Sequence, residues 1–292
     1  MAGVADYWVW LDGAVGSADS ARVSVMDHGF LYGDTVYESL RTYGGRFLAL
    51  PEHLSRLENS AAALDLEIPG GRGAVVEALT ACAAYAPPGV EVGVRVTVSR
   101  GVGPLGLDTA LCTQPRLVVV AWSIAPGPHP LAATGVRLIV TRTRRNAPDS
   151  LDPHIKSGNL LNNLVAYREV KRAGAFEGVL LTHHGHVAEC TTSNVFWVND
   201  GAVKTPVDEG ILLGVTRATV IELLTQHDVP LRRVAAWPDE LIAADEVFIT
   251  SSLKGVLPVV QVGSSVVGDG APGPMTRQIL EWFTDRTQSP SP

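Results

Sequence analysis

Along the first fifty residues apolar and polar positions alternate in short runs. Tyr7 to Leu11, Arg22 to Val25, Val36 to Tyr43 and Phe47 to Leu50 read as strands, with turns at Asp12-Gly13 and Gly44-Gly45, a meander or hairpin region. The period then changes. Leu50, Leu54, Leu57, Ala61 and Leu64 form one apolar stripe, which predicts a helix with Pro51 in its first turn and with His53 and Arg56 together on a different face. A second helix is predicted over 73–85, ended by Pro87-Pro88-Gly89, and strands over 90–99 and 115–122, the first with Arg95 inside an apolar alternation. Residues 123–135 are rich in Pro, Gly and Ala and have no period, so they read as a linker between two α/β domains, 1–122 and 136–292.

After the linker come a strand over 136–143, an irregular segment, and a helix marked by Leu160, Leu164 and Tyr167, with Gly174 as its stop. Gly178 to Leu181 and Val187 to Val198 read as strands joined by a tight His-rich turn at 183–186. A helix follows Gly214 to about Gln226, and a short one follows Pro238. Strands at 247–250 and 256–262, a last helix near 274–284 and a loose tail at 286–292 complete the pattern. There is no internal repeat.

Two charged residues break this pattern. Lys156 sits where loop becomes helix, and Glu189 lies among half-buried Val187, Ala188 and Cys190, where an unpaired carboxylate is costly. One chemistry uses both: a lysine forming a Schiff base with an aldehyde cofactor, pyridoxal phosphate, and an acid holding the cofactor's pyridine nitrogen protonated. A surface lysine and a water-facing glutamate fit the positions as well. Gly214-Val215-Thr216 offers free amides at a helix start to a phosphate, or is an ordinary threonine cap; Arg56 has the fork to complete a phosphate clamp. Arg95 either takes a substrate carboxylate or snorkels to solvent from an edge strand. Tyr37, Ser39 and Arg41 alternate on one strand face, as a pocket wall or as plain cross-strand packing. His183, His184 and His186 share one tight turn and cannot all converge on a metal, so no metal site is expected.

Composition narrows the class. A chain of 292 residues, 46% hydrophobic, can bury a sizeable core, and a net charge of −7 with both signs scattered argues against nucleic-acid or membrane-surface partners. Three cysteines without framework spacing suit a reducing cytoplasm with no disulfide. The start MAGVADYWVWLDG lacks signal-peptide character, and no apolar run approaches the ~20 residues needed to span a bilayer.

The run 154–198 resembles the lysine helix and glutamate strand of the fold-type IV (class IV) pyridoxal-phosphate aminotransferases, which include branched-chain and D-amino-acid aminotransferases and aminodeoxychorismate lyase. MDHGFLYGDTVYESLR at 26–41, EHLSRL at 52–57, LLGVTR at 212–217 and DEVFITSSLKGVLPV at 245–259 match in order. The resemblance implies a smaller N-terminal α/β domain, a larger C-terminal domain with a β-barrel-like core, and a homodimer whose partner residues close the pocket. It implies that Lys156 holds the cofactor and acts as base and acid, that Glu189 pairs with its ring nitrogen, and that Arg56, Val215, Thr216 and Ser252 take its phosphate. Tyr32, Tyr37, Arg41, Arg95 and Leu253 would meet the substrate, an amino acid, favoured as branched-chain-like and L, whose amino group passes to a 2-oxo acid such as 2-oxoglutarate. Departures keep other readings open. SSLKG differs from the Gly-Thr-Ala-Ala of branched-chain enzymes, Leu161 replaces a tyrosine, and loop 100–108 lacks the arginine and histidine of D-amino-acid enzymes. NAPDSLDPHIK and VRVTVSRG resemble the lyase subgroup. A D-amino-acid or (R)-amine transaminase, a lyase, and a non-enzymatic binding protein on the same fold remain as alternatives.

Overall fold

A computed structural model describes residues 7–288. The chain divides into two compact units: described residues 7–127 with 155–159, and 128–154 with 160–288. The boundary thus falls at Gly127 and Pro128, after a strand that extends to Ile124, and the lysine segment returns to the first unit.

The first unit opens with the hairpin β1 (Tyr7–Leu11) and β2 (Ala14–Ser17), followed by α1 (His28–Tyr32), β3 (Thr35–Tyr43), β4 (Arg46–Phe47), α2 (Leu50–Ala62), α3 (Gly71–Ala84), β5 (Glu91–Ser99) and β6 (Arg116–Ile124). The strands form one antiparallel sheet in the order β2-β1-β6-β5-β3-β4. Val36, Leu40, Val94, Val96 and Val98 on one face meet Leu54, Leu57 and Ala61 of α2 and Val75 and Leu79 of α3, all buried. Strand periodicity of two turns the intervening residues of β3 and β5 to the other face, where Ser39 sits opposite Arg95 and Tyr37 opposite Thr97.

Two strand expectations fail here. Residues 22–25 form no strand, and Val23 and Val25 are exposed; the partner of β1 is the short run 14–17 that the turn at Asp12-Gly13 folds back onto it. Phe47 to Leu50 pairs only through Phe47, because Ala49 takes a left-handed conformation (φ 51°) that swings Leu50 into α2.

The second unit contains β7 (Val136–Arg144), α4 (Leu161–Arg172), β8 (Glu177–Leu181), β9 (Val187–Cys190), β10 (Asn194–Asn199), β11 (Ala202–Pro206), α5 (Val215–Gln226), β12 (Leu231–Val234), α6 (Pro238–Ile242), β13 (Glu246–Ser251), β14 (Gly255–Val262), β15 (Ser265–Val266) and α7 (Pro274–Gln288). Nine strands make one mixed sheet, β12-β11-β10-β13-β14-β7-β8-β9 with β15 on β14, curled into a half-barrel. Leu138, Val179, Val195, Trp197, Leu241, Ile249 and Leu257 fill one buried cluster, and Phe196 stacks on Phe248 with ring centroids 4.8 Å apart.

Here too the periodicity misleads in places. The run 187–198 is two strands, broken by a turn at 191–193. In α4 the buried positions are Ala166 and Val170, whereas Leu161, Leu164 and Tyr167 are exposed, so the larger apolar residues do not face this unit's core. Gly174 is the left-handed residue after the helix, as its spacing predicts (φ 62°). The last helix runs on to Gln288 and so takes in the first three residues of the expected tail; residues 289–292, like residues 1–6 of the segment read for a signal peptide, lie outside the described residues. No helix among the described residues is long and apolar enough to cross a membrane.

Candidate active site

Lys156 is held through its backbone. Its N–H donates to Ser60 Oγ at 3.1 Å and its carbonyl accepts from Tyr37 N at 2.9 Å, while Gly158 N donates to Thr35 O at 2.8 Å. A Cβ at position 158 would lie 1.9 Å from Thr35 Oγ1, so any residue other than glycine must push the Thr35 side chain aside. Lys156 therefore extends the edge of β3. Its Nζ lies 4.4 Å from the Tyr37 ring centroid, and Arg95 Cζ lies 3.6 Å from the same centroid. Burial pushes the Tyr37 phenol up, but the Lys156 and Arg95 cations outweigh it and leave the group below its ordinary value.

On the opposite face of β3, Glu38 gathers the two residues that α2 spaces three apart. Arg56 donates to it through Nε at 2.6 Å and Nη2 at 2.8 Å, and His53 Nδ1 lies 2.7 Å away. Burial raises the Glu38 carboxyl, and the Arg56 guanidinium and the His53 hydrogen bond together more than reverse this, holding it at about 2. Burial keeps His53 below its ordinary value, so a neutral ring donates from Nδ1. Arg56 thus carries a fork already oriented by a carboxylate. The other expected substrate residues of this unit separate: Arg41 is buried, bonded to Thr42 O and Ala125 O and set over the Tyr43 ring, and the exposed Tyr32 accepts from Gly106 N at 3.0 Å.

In the second unit Glu189 is 5% exposed. Arg145 Nε donates to Oε1 at 2.6 Å, Leu212 N to Oε2 at 2.9 Å, and Asn194 Nδ2 lies 3.4 Å from Oε2 while donating to Leu212 O at 2.9 Å. Arg145 is the partner that sequence reasoning missed. It lies just past β7 in the segment read only as irregular; a buried carboxylate demanding a cation was the available signal.

The N-cap of α5 is Gly214, with no side-chain cap, and Val215 and Thr216 in its first turn are buried. A Cβ at 214 would lie 2.0 Å from Asn194 Oδ1, so any side chain there must displace Asn194. Thr216 is thus not the cap; its hydroxyl reaches Ser252 Oγ at 3.5 Å. Leu253 is half-buried in the same turn, and Thr250 Oγ1 is buried without a hydrogen-bond partner. Bare amides, two hydroxyls and an orphaned third one suit a phosphate, and the Glu189 carboxylate suits a pyridinium, so the residues present fit pyridoxal phosphate. The His183 and His184 rings pack on each other and His186 packs on Trp237.

Comparison with known proteins agrees with this chemistry. The family profile described as amino-transferase class IV matches residues 35–262. A Methanocaldococcus jannaschii protein assigned as a branched-chain-amino-acid aminotransferase is 35% identical over 278 residues, 95% of each chain. The D-alanine aminotransferase of Bacillus licheniformis is 32% identical over 278 residues, 93% of this chain and 94% of its own. Among solved structures, the T.th. branched-chain amino acid aminotransferase with pyridoxamine 5'-phosphate has a TM-score of 0.87 at 30% identity, covering 96% of this chain and 94% of that one. The same enzyme has been solved with 4-methylvaleric acid and with N-(5'-phosphopyridoxyl)-L-glutamate.

Proposed function

The chain belongs to the class IV aminotransferases, pyridoxal-phosphate enzymes of fold type IV, and from that premise we propose that it moves the amino group of a branched-chain-like L-amino acid to 2-oxoglutarate or a similar 2-oxo acid. Lys156 would hold the cofactor covalently through Nζ, Glu189 its ring nitrogen, and Arg56, the Val215 and Thr216 amides, and the Thr216 and Ser252 hydroxyls its phosphate. When bound, the cofactor supplies an electron-poor ring that accepts the electrons released at the substrate's α-carbon. Lys156 Nζ would take the proton from that α-carbon and return it, the work of a positioned general base and acid. The carboxylate of Glu189, neutralised by Arg145, is built to keep a protonated ring nitrogen in place.

The observation that supports the substrate reading is the Arg95 guanidinium stacked 3.6 Å over the Tyr37 ring, with the Lys156 amine 4.4 Å from the same ring; there Arg95 would anchor the substrate carboxylate close to Lys156. Leu253 and the face bearing Tyr37 would meet the side chain. The ligands of the T.th. enzyme, an apolar branched acid and a glutamate adduct, support the same pair of substrates. A homodimer is part of the proposal, supported by the exposed apolar Leu161, Leu164 and Tyr167 on α4. So is a cytoplasmic setting, supported by free thiols at Cys82, Cys112 and Cys190.

Mixing the holoenzyme with L-amino acids, D-amino acids and (R)-amines in the absence of acceptor tests this. L-leucine or L-glutamate should convert the bound cofactor to pyridoxamine phosphate, and Lys156→Ala should abolish both this and the borohydride-stable link to the protein. Conversion by D-alanine alone would favour the D-amino-acid reading that the Bacillus licheniformis relative supports. Pyruvate release from aminodeoxychorismate without conversion by any amino acid would replace transamination by lyase chemistry.

A further inference from the structure

Glu177, 2% exposed at the start of β8, stands outside the groups assigned so far, yet its carboxylate accepts from five donors. Thr191 Oγ1 at 3.0 Å and Thr192 N at 2.8 Å reach Oε2; Thr192 Oγ1 at 2.8 Å and Ser193 Oγ at 2.7 Å reach Oε1, as does Lys254 Nζ. Lys254 Nζ also donates to Thr192 Oγ1 at 2.7 Å. These donors belong to two loops. Residues 191–193 turn the chain from β9, which carries Glu189, into β10, which begins at Asn194; residues 252–254 join β13 to β14 and carry Ser252 and Leu253. Glu177 thus clasps the 191–193 turn, whereas Asn194, the next residue, ties Glu189 to Leu212.

We infer that the Glu177–Lys254 pair is a positioning device that locks the 252–254 loop to the 191–193 turn, setting Ser252 for the cofactor's phosphate and Leu253 for the substrate. The inference rests on the function proposed above and names the residue that makes the SSLKG run work despite its departure from the usual small residues. The physical case is the choice of a charged side chain. Ordering a lysine carries one of the larger side-chain entropy costs, and a carboxylate already holding four hydroxyl and amide donors does not need a cation merely to be satisfied. What the ammonium adds is a reach from one loop to the other. Burial raises the Glu177 carboxyl, and Lys254 together with the Ser193 and Thr192 hydrogen bonds more than reverses it, so Glu177 is a carboxylate.

The experiment compares wild type, Lys254→Met, Lys254→Arg and the double variant Glu177→Gln/Lys254→Met. Titration of each cofactor-stripped protein with pyridoxal 5'-phosphate, followed by absorbance, gives the dissociation constant; melting temperature and the KM and kcat for the amino acid are read alongside. Lys254→Met should weaken cofactor binding roughly tenfold and raise KM more than it lowers kcat, the scale seen when the supports of a binding group are removed. Lys254→Arg should restore most of both. The double variant removes the uncompensated buried charge, so its melting temperature should recover towards wild type while cofactor binding stays weak. Cofactor affinity and KM unchanged in Lys254→Met, or restored together with stability in the double variant, would reduce the pair to a structural ion pair and overturn the inference. A wild-type protein that binds no pyridoxal phosphate would instead overturn the functional reading, and the inference with it.

Discussion

Glu38 and Glu189 are both carboxylates buried in a sheet, each met by an arginine Nε at 2.6 Å, yet they are assembled differently. The side-chain partners of Glu38, His53 and Arg56, come from one helix 15 and 18 residues further on, so the cluster follows once α2 packs on β3. The partners of Glu189, the side chains of Arg145 and Asn194 and the backbone N–H of Leu212, come from three separate segments, 44, 5 and 23 residues away. The first is a local device whose charge is consumed in holding Arg56. The second is a meeting point of loops, and it includes a backbone amide that no side-chain pattern encodes. A buried charge served by one neighbouring element acts mainly on stability and orientation; one served by several loops is where chemistry is built, because only convergent segments can surround a ligand.

Glu189→Gln should separate the two most sharply. An amide of the same shape cannot hold a pyridinium as a carboxylate does, so kcat should fall by roughly two to three orders of magnitude while cofactor affinity changes little. Stopped-flow conversion of the cofactor by L-leucine measures this; an unchanged rate would remove Glu189 from the chemistry.

Acid should act chiefly on the other cluster. Glu38 titrates near 2 in the folded chain rather than at its ordinary 4.5, so its contribution is present above about pH 4.5 and is lost as pH falls towards 2. That contribution amounts to about 3 kcal/mol. Denaturant melts from pH 6 to 3 should show wild type losing stability relative to Glu38→Gln over this window. Parallel curves would mean that Arg56 does not depress the carboxyl.

Gly214→Ala tests how tightly the second cluster is packed. Its φ of −67° accepts alanine without backbone strain, so the expected loss of about 1–3 kcal/mol comes from displacing Asn194 Oδ1. Calorimetric melting should show it together with weaker pyridoxal-phosphate binding. Full stability would mean that Asn194 moves freely and does not tie Glu189 to Leu212.

The smallest effect is expected at Tyr37→Phe. The ring that Arg95 and Lys156 share remains, so stability should change by less than about 1 kcal/mol, and KM for the amino acid should move within about threefold. A large drop in kcat would show that the phenol oxygen itself takes part in the reaction.

Much was legible in the chain itself, and the failures are instructive. The stripe from Leu50 to Ala61 gave α2, and Gly214-Val215-Thr216 gave the start of α5, because helix spacing and capping are decided within a few residues. The oddness of Lys156 and Glu189 was visible because charge in an apolar run has a cost wherever the chain folds. Residues 22–25 failed as a strand, and the stripe of Leu160, Leu164 and Tyr167 failed to mark a core face, Leu160 being half-buried and the other two exposed, because periodicity cannot say whether a partner strand or a covering surface exists. The sequence by itself thus determined the elements, the family and the residue types that carry chemistry. The tertiary structure alone decided that Arg145 serves Glu189, that Arg56 rests on Glu38, and that Glu177 and Lys254, 77 residues apart, join two loops. Such pairings depend on where the backbone brings side chains together in space, and charges of either sign carry no mark of their partner in the linear order.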